Sequence, residues 1–90
     1  MLDKVKLALG ITTTAFDSDI EENIEAARAE LIRSGVLSTK ANADNDALIT
    51  KAIKTFCQKE YSEGNEASRY ERSWRYQLEN LRKSTDYMGA

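Results

Sequence analysis

Twice in its first half the chain sets a glycine directly before an aliphatic residue at the end of a helical apolar pattern. Gly10 and Ile11 close "MLDKVKLALGI", and Gly35 and Val36 close "IEAARAELIRSGV". Glycine takes the left-handed conformation that ends a helix without a Cβ penalty, and the apolar residue after it folds back on the helix just ended. There is no proline and there are only four glycines, so few other helix breaks are available. No stretch shows the apolar-polar alternation of a strand. The chain is thereby restricted to helices with short connections.

Four helices are expected. In the first, Leu2, Val5 and Leu9 recur at helical spacing up to Gly10. The triplet Thr12, Thr13 and Thr14 is β-branched and weakens helix, so the next start falls in "FDSDIEENIEAARAELIRSGV". There Asp17 or Ser18 is the cap, Ser18 with Glu21 fits a capping box, and Ile20, Ile24, Ala27 and Leu31 form the apolar stripe. The polar run "LSTKANADNDA" reads as the longest loop. A third helix is expected from Asn45 or Asp46, with Leu48, Ile49, Ala52, Ile53 and Phe56 on a broad face, Cys57 at its edge, and Lys51, Lys54 and Gln58 opposite. After a turn centred on Gly64 and Asn65, the last helix is expected from Ala67 to about Tyr87. At 90 residues this is an all-α fold in one small domain, residues 1–90: a short N-terminal helix, two core helices and a long C-terminal one.

The last helix carries more aromatic surface than one core face needs. Tyr70, Trp74, Leu78 and Leu81 fall on one side, continued by Gln77 and Met88. Tyr76, Asn80, Lys83 and Tyr87 fall on roughly the opposite side, at the spacing of a second seam. Two readings stay open: a second contact face, or tyrosines that are solvated or folded against loops of their own chain. Glu71 with Arg75 and Glu79 with Lys83 stand in the favourable i, i+4 order, whereas Arg69, Arg72 and Arg82 lack a partner at that spacing. The second helix carries Glu21, Glu22, Glu25 and Glu30 with few bases near them. Such a helix can pair with the arginine-bearing one inside a monomer or between copies.

Chemistry finds little support. The chain has no histidine, the usual base near neutral pH and the commonest zinc ligand. Cys57 stands alone in an apolar stripe, which reads as inert core and excludes an internal disulfide. No glycine-rich phosphate loop occurs, and Asp44, Asn45 and Asp46 lack the spaced acids, central glycine and closing glutamate of a calcium loop. No catalytic, cofactor-binding or metal-ligating residue is therefore expected, and the chain is read as a non-enzyme. A net charge of −2 argues against a chain built chiefly to neutralise DNA phosphates. No signal peptide or apolar run of membrane-spanning length is seen, so synthesis in the cytoplasm and no membrane association are expected.

Taken in order, the opening "MLDKVKLALGITTTAFDSDIEENIEAARAELIRSGV", the segment "DALITKAIKTFCQKEY" and the closing "YERSWRYQLENLRKSTDY" resemble the small head-tail connector proteins of tailed bacteriophages and prophages. Asp19, Ile20, Ile24, Ala26, Ala27 and Leu31 carry the likeness in the second helix, and Tyr70, Leu78, Leu81, Ser84 and Tyr87 in the last. The order and spacing of all the segments hold it together, rather than one motif.

The resemblance implies a structural virion protein at the head-tail interface, made in the bacterial host cytoplasm. Its subunits form a ring, commonly a dodecamer, under the portal protein and extend the DNA channel toward the next head-completion or tail protein. Packaged DNA passes through without sequence-specific binding, and no cofactor is involved. The expected subunit or portal contacts are Arg72, Arg75, Tyr76, Lys83 and Tyr87; the acids Glu21, Glu22, Glu25 and Glu30 are expected at the channel or at an interface. A long C-terminal docking arm is not expected, because the chain stops at Met88, Gly89 and Ala90. The alternatives are a small helical prophage DNA-binding regulator, using Lys51, Lys54 and Lys59, and an inhibitor or chaperone of one partner protein.

Overall fold

In the computed structural model, which describes residues 1–88, the chain forms five helices: α1 (Leu2–Leu9), α2 (Asp17–Arg33), α3 (Ser38–Ala41), α4 (Ala47–Glu60) and α5 (Gly64–Arg82). The all-α expectation holds. Among the described residues the one β feature is an isolated antiparallel bridge between Val36 and Met88. Gly89 and Ala90, on which the expectation of a short C-terminal end partly rested, lie outside the described residues.

Helix α4 is the hub, packed by α1, α2 and α5. Its apolar residues Ile49, Ala52, Ile53, Phe56 and Cys57 are buried, and they meet Val5 of α1, the α2 stripe Ile20, Ile24, Ala27 and Leu31, and Trp74 and Leu81 of α5. The Phe56 and Trp74 rings pack edge to face, 5.1 Å between centroids, a geometry that favours aromatic pairs beyond the area they bury. Leu48, expected on this face, is instead 54% exposed. It stands in the first turn of α4 at the rim of an open groove between α4 and α5.

Both glycine stops form as the sequence requires. Gly10 has φ 72°, with its N–H on the Leu7 carbonyl and the Ile11 N–H on Lys6. Gly35 has φ 106°, with its N–H on Ile32 and the Val36 N–H on Leu31. These paired bonds satisfy the last carbonyls of α1 and α2.

Three further expectations need correction. No capping box opens α2: the cap position is Phe16, Ser18 lies inside the helix, and Asp17 instead forms a 2.8 Å ion pair with Lys6 of α1. The threonine turn supplies the start, with the Ala15 N–H on Thr13 Oγ1 and the Asp17 N–H on the Thr14 carbonyl. The long loop contains the single turn α3, whose Ala41 is wholly buried. Finally α5 begins at Gly64, three residues before Ala67, and ends at Arg82 rather than near Tyr87. Ser84 accepts from the Asp86 N–H through its hydroxyl and from the Tyr87 N–H through its carbonyl, a local turn that competes with further helix.

That turn sends the chain back across the end of α2. The Leu37 N–H donates to the Tyr87 carbonyl at 2.7 Å, and Met88 lies over Gly35. The Tyr87 hydroxyl reaches the Asp46 carboxylate at 3.0 and 3.1 Å. Asp46 is also the cap of α4, accepting from the Leu48 and Ile49 N–H groups, so one carboxylate joins the start of α4 to the end of the chain.

Candidate interaction surface

The outer side of α5 presents Arg72, Tyr76 and Lys83, which fall within about 40° of one another on the helix. All three are exposed, and Tyr76 is 71% exposed, more than any other aromatic side chain among the described residues. Among the described residues neither Arg72 nor Lys83 forms an ion pair. Arg75 sits to one flank and is bound to Glu71 at 2.8 Å, the expected i, i+4 pair. That bond, helped by the nearby Lys59 ammonium, holds the Glu71 carboxyl below its ordinary range. The expected Glu79–Lys83 pair does not form; Glu79 meets Arg82 at 3.6 Å instead, and Arg69 meets Glu66 at 3.5 Å. Surface pairs of this kind contribute little, about 0.2 to 1 kcal/mol.

Tyr87 does not continue this seam, because the helix has ended before it. It joins Tyr76 in another way: both line a groove between α4 and α5, with Leu48, Lys51, Leu81 and Ser84 around it, enclosing about 190 Å³. Gln77 crosses the groove floor and donates to Thr55 Oγ1 at 2.9 Å and Ser73 Oγ at 3.0 Å. Its carbonyl oxygen is buried without a partner. The Lys40 ammonium lies 5.5 Å over the Tyr87 ring. Desolvation first, and then the neighbouring Asp46 carboxylate, raise the Tyr87 phenol above its ordinary value, so the proton that makes the Asp46 bond is firmly held.

The acids of α2 divide. Glu21, Glu22 and Glu25 lie on the side away from the core and are exposed. Glu25 is 3.8 Å from the Arg28 Nε, and no ion pair involves Glu21 or Glu22 among the described residues. Glu30 is about half a turn round from Glu21. It pairs with Arg33 at 3.0 Å and faces an open groove over Phe56 and Trp74, whose far wall holds Glu71 and Arg75. Arg75 and Glu30 thus share a groove within one chain, whereas no ion pair joins Arg72 or Lys83 to α2's acids among the described residues.

Sequence reasoning missed Arg28. Its side chain is almost wholly enclosed, donating to the Ala41 carbonyl at 2.9 Å and to Asp44 Oδ1 at 2.6 Å, and it holds α3 and the following loop against α2. The Arg28 hydrogen bond, then its charge, hold the Asp44 carboxyl below the usual range. The signal was present: Arg28 follows Ala27 and lies one turn after Ile24, at the edge of the apolar stripe. Cys57 is fully enclosed and its thiol is pushed up to about 12, by burial first and by Glu60 second, so its charged form is suppressed. Among the described residues no helix is long and apolar enough to cross a membrane.

A family model described as phage connector protein matches residues 1–88 of the chain. No curated protein and no solved structure matches it.

Proposed function

The chain belongs to the phage connector protein family, and from that premise we propose that it assembles as a closed ring, commonly twelvefold, beneath the portal protein. The family supplies the structural, virion-component role; the ring, the portal contact and the DNA channel are our extension of it. The observation that carries the proposal is the family match itself, which runs through every described helix rather than one segment. In this reading the ring hands the channel on to the next head-completion or tail protein, and DNA passes without sequence-specific binding. Synthesis takes place in the host cytoplasm.

A ring needs two different patches on each subunit, because a head-to-tail contact repeats around the axis. We assign one contact with a neighbour or the portal to Arg72, Tyr76 and Lys83, with Arg75 at its flank and Tyr87 contributing through the rim of the α4–α5 groove. An exposed tyrosine between unpaired cations suits such a contact, since aromatic and arginine side chains are enriched where protein surfaces meet. The α2 acids stand at the channel wall or at a second contact. Imaging of purified particles should place the chain at the portal vertex, and its absence from particles would reject the role. Arg72→Glu combined with Tyr76→Ala should leave a folded monomer yet block particle completion; unimpaired completion would remove these residues from the contact.

A further inference from the structure

Away from the seam on α5, the charges of the domain separate onto two sides. The side of α4 that no helix covers lies between α1 and α5, and there Lys4, Lys51 and Lys54 line one shallow depression. Lys4 donates to the Asp44 backbone carbonyl at 2.9 Å, while Lys51 and Lys54 have no ion pair among the described residues. Asp44 and Asp46, which flank Asn45 of this depression, are occupied, Asp44 by Arg28 and Asp46 by the α4 amides and Tyr87. Leu48 and Tyr76, both exposed, border it on the α5 side.

Helix α2 packs on the opposite side of α4. Its stripe from Ile20 to Leu31 meets Ile49, Ile53 and Phe56, which lie roughly half a turn round α4 from Lys51 and Lys54. Glu21, Glu22 and Glu25 project from α2 away from that contact. Glu21 and Glu22, with Glu25 only loosely paired to Arg28, and the unpaired Lys51 and Lys54 beside Lys4 therefore occupy opposite sides of the same small domain among the described residues.

We propose that these two sides bind each other between copies: Glu21, Glu22 and Glu25 of one copy dock on Lys4, Lys51 and Lys54 of the next, with Leu48 supplying apolar contact at the edge. The proposal rests on the ring reading and names its subunit contact. Charge decides the occupant. A two-fold contact would set acids against acids or lysines against lysines, which is repulsive, whereas the head-to-tail arrangement pairs opposite signs at each step. It also assigns the α2 acids to the subunit contact rather than the channel wall.

The test uses the full chain carrying Glu22→Cys and Lys51→Cys together, oxidised in solution and, separately, in purified particles. Cys57 is enclosed and protonated and stays out of the exchange. The expected result is a ladder of linked species beyond the dimer, absent from either single variant. Lys51→Glu with Lys54→Glu should weaken assembly at least about tenfold, and adding Glu21→Lys with Glu22→Lys should restore it. Raising salt from about 0.05 M to about 0.5 M should weaken the unmodified assembly in the same direction. Particles that contain the chain yet give no ladder would overturn this contact and leave the connector role intact. A ladder in solution with no chain at the vertex would support the contact and reject that role. No ladder, with a salt-dependent shift of a short DNA duplex that Lys51→Glu removes, would overturn the contact in favour of phosphate binding by the lysines.

Discussion

Gly10 and Gly35 end α1 and α2 with the same pair of backbone hydrogen bonds, yet only one of them lies against another part of the chain. A Cβ built on Gly10 meets nothing within 4 Å, whereas one built on Gly35 would sit 2.6 Å from the Met88 methyl. The first corner is a local turn, held to its neighbour by Lys6 and Asp17. The second is a joint: the Val36–Met88 bridge, the Leu37–Tyr87 backbone bond and the Arg28 anchor all converge on the segment that follows it. The same local code thus stops both helices, and the returning C-terminal turn makes one stop a tertiary contact.

The largest test of that contrast compares the two alanine variants. Left-handed backbone costs an ordinary residue about 1 to 2 kcal/mol, and Gly10→Ala should lose about that much. Gly35→Ala adds a shift of the flexible end of Met88 at a φ of 106°, and should lose at most about 1 kcal/mol more than Gly10→Ala, read as a lower urea midpoint at unchanged slope. Repeating the comparison with Met88→Ala should remove the excess if the contact causes it; an excess that persists would belong to the backbone at φ 106° and leave the second corner as local as the first.

Next comes Arg28, which has no counterpart at the first corner. Arg28→Met keeps the side-chain volume but removes the donor to the buried Ala41 carbonyl, at about 2 kcal/mol. Amide exchange should quicken through residues 38–46 while the α4 and α5 amides stay protected; uniform loss of protection would show that the joint does not open by itself. The Asp44 carboxyl is held below its ordinary value, so its stabilising effect is present above that value and lost as pH falls through the depressed one. The joint should therefore loosen below about pH 4, and Arg28→Met should abolish that acid dependence.

The contrast between the corners also marks how far the sequence could be read. The glycine stops, the α2 stripe and the α4 core are local periodicities, and they hold because 3.6-residue spacing and left-handed closure act within a few residues. The path after Arg82 was not legible. Ser84, Thr85 and Asp86 contain no glycine or proline to announce a stop, and Tyr87 leaves the helix for a partner 41 positions away. Helical spacing joins Tyr76 to Tyr87 in one seam only if α5 runs on past Arg82, where it ends, although the fold returns both residues to one groove. Arg28 was overlooked for a related reason: a charged residue at the edge of a stripe reads as solvated unless its distant acceptors are known. The charge separation between α2 and α4 was visible only in halves, because spacing shows that a helix has an acidic side but not where the next helix points.

Tyr87→Phe should have a smaller effect than Arg28→Met, about 1 kcal/mol, because the Leu37 backbone bond survives the change. Its pH signature has the opposite sense to Asp44's. The phenol is raised above its ordinary value, so the stabilisation is complete below that value and is lost as pH rises through the elevated one. Unfolding followed above about pH 10 should show a loss that Tyr87→Phe reduces. An unchanged alkaline profile would mean that the Asp46 bond contributes nothing to closing the joint.

The smallest effect belongs to the first corner. The Lys6–Asp17 pair spans only the turn between α1 and α2 and is partly exposed, with side chains 14% and 30% accessible. A double-mutant cycle with Lys6→Met and Asp17→Asn should give a coupling of about 0.2 to 1 kcal/mol that shrinks as salt screens it. Neither variant should alter exchange at residues 38–46, since neither side chain is bonded to the joint. A coupling as large as the Arg28 effect, or exchange that quickens at the distant joint, would mean that α2 transmits strain from one end to the other and that the two corners form a single unit.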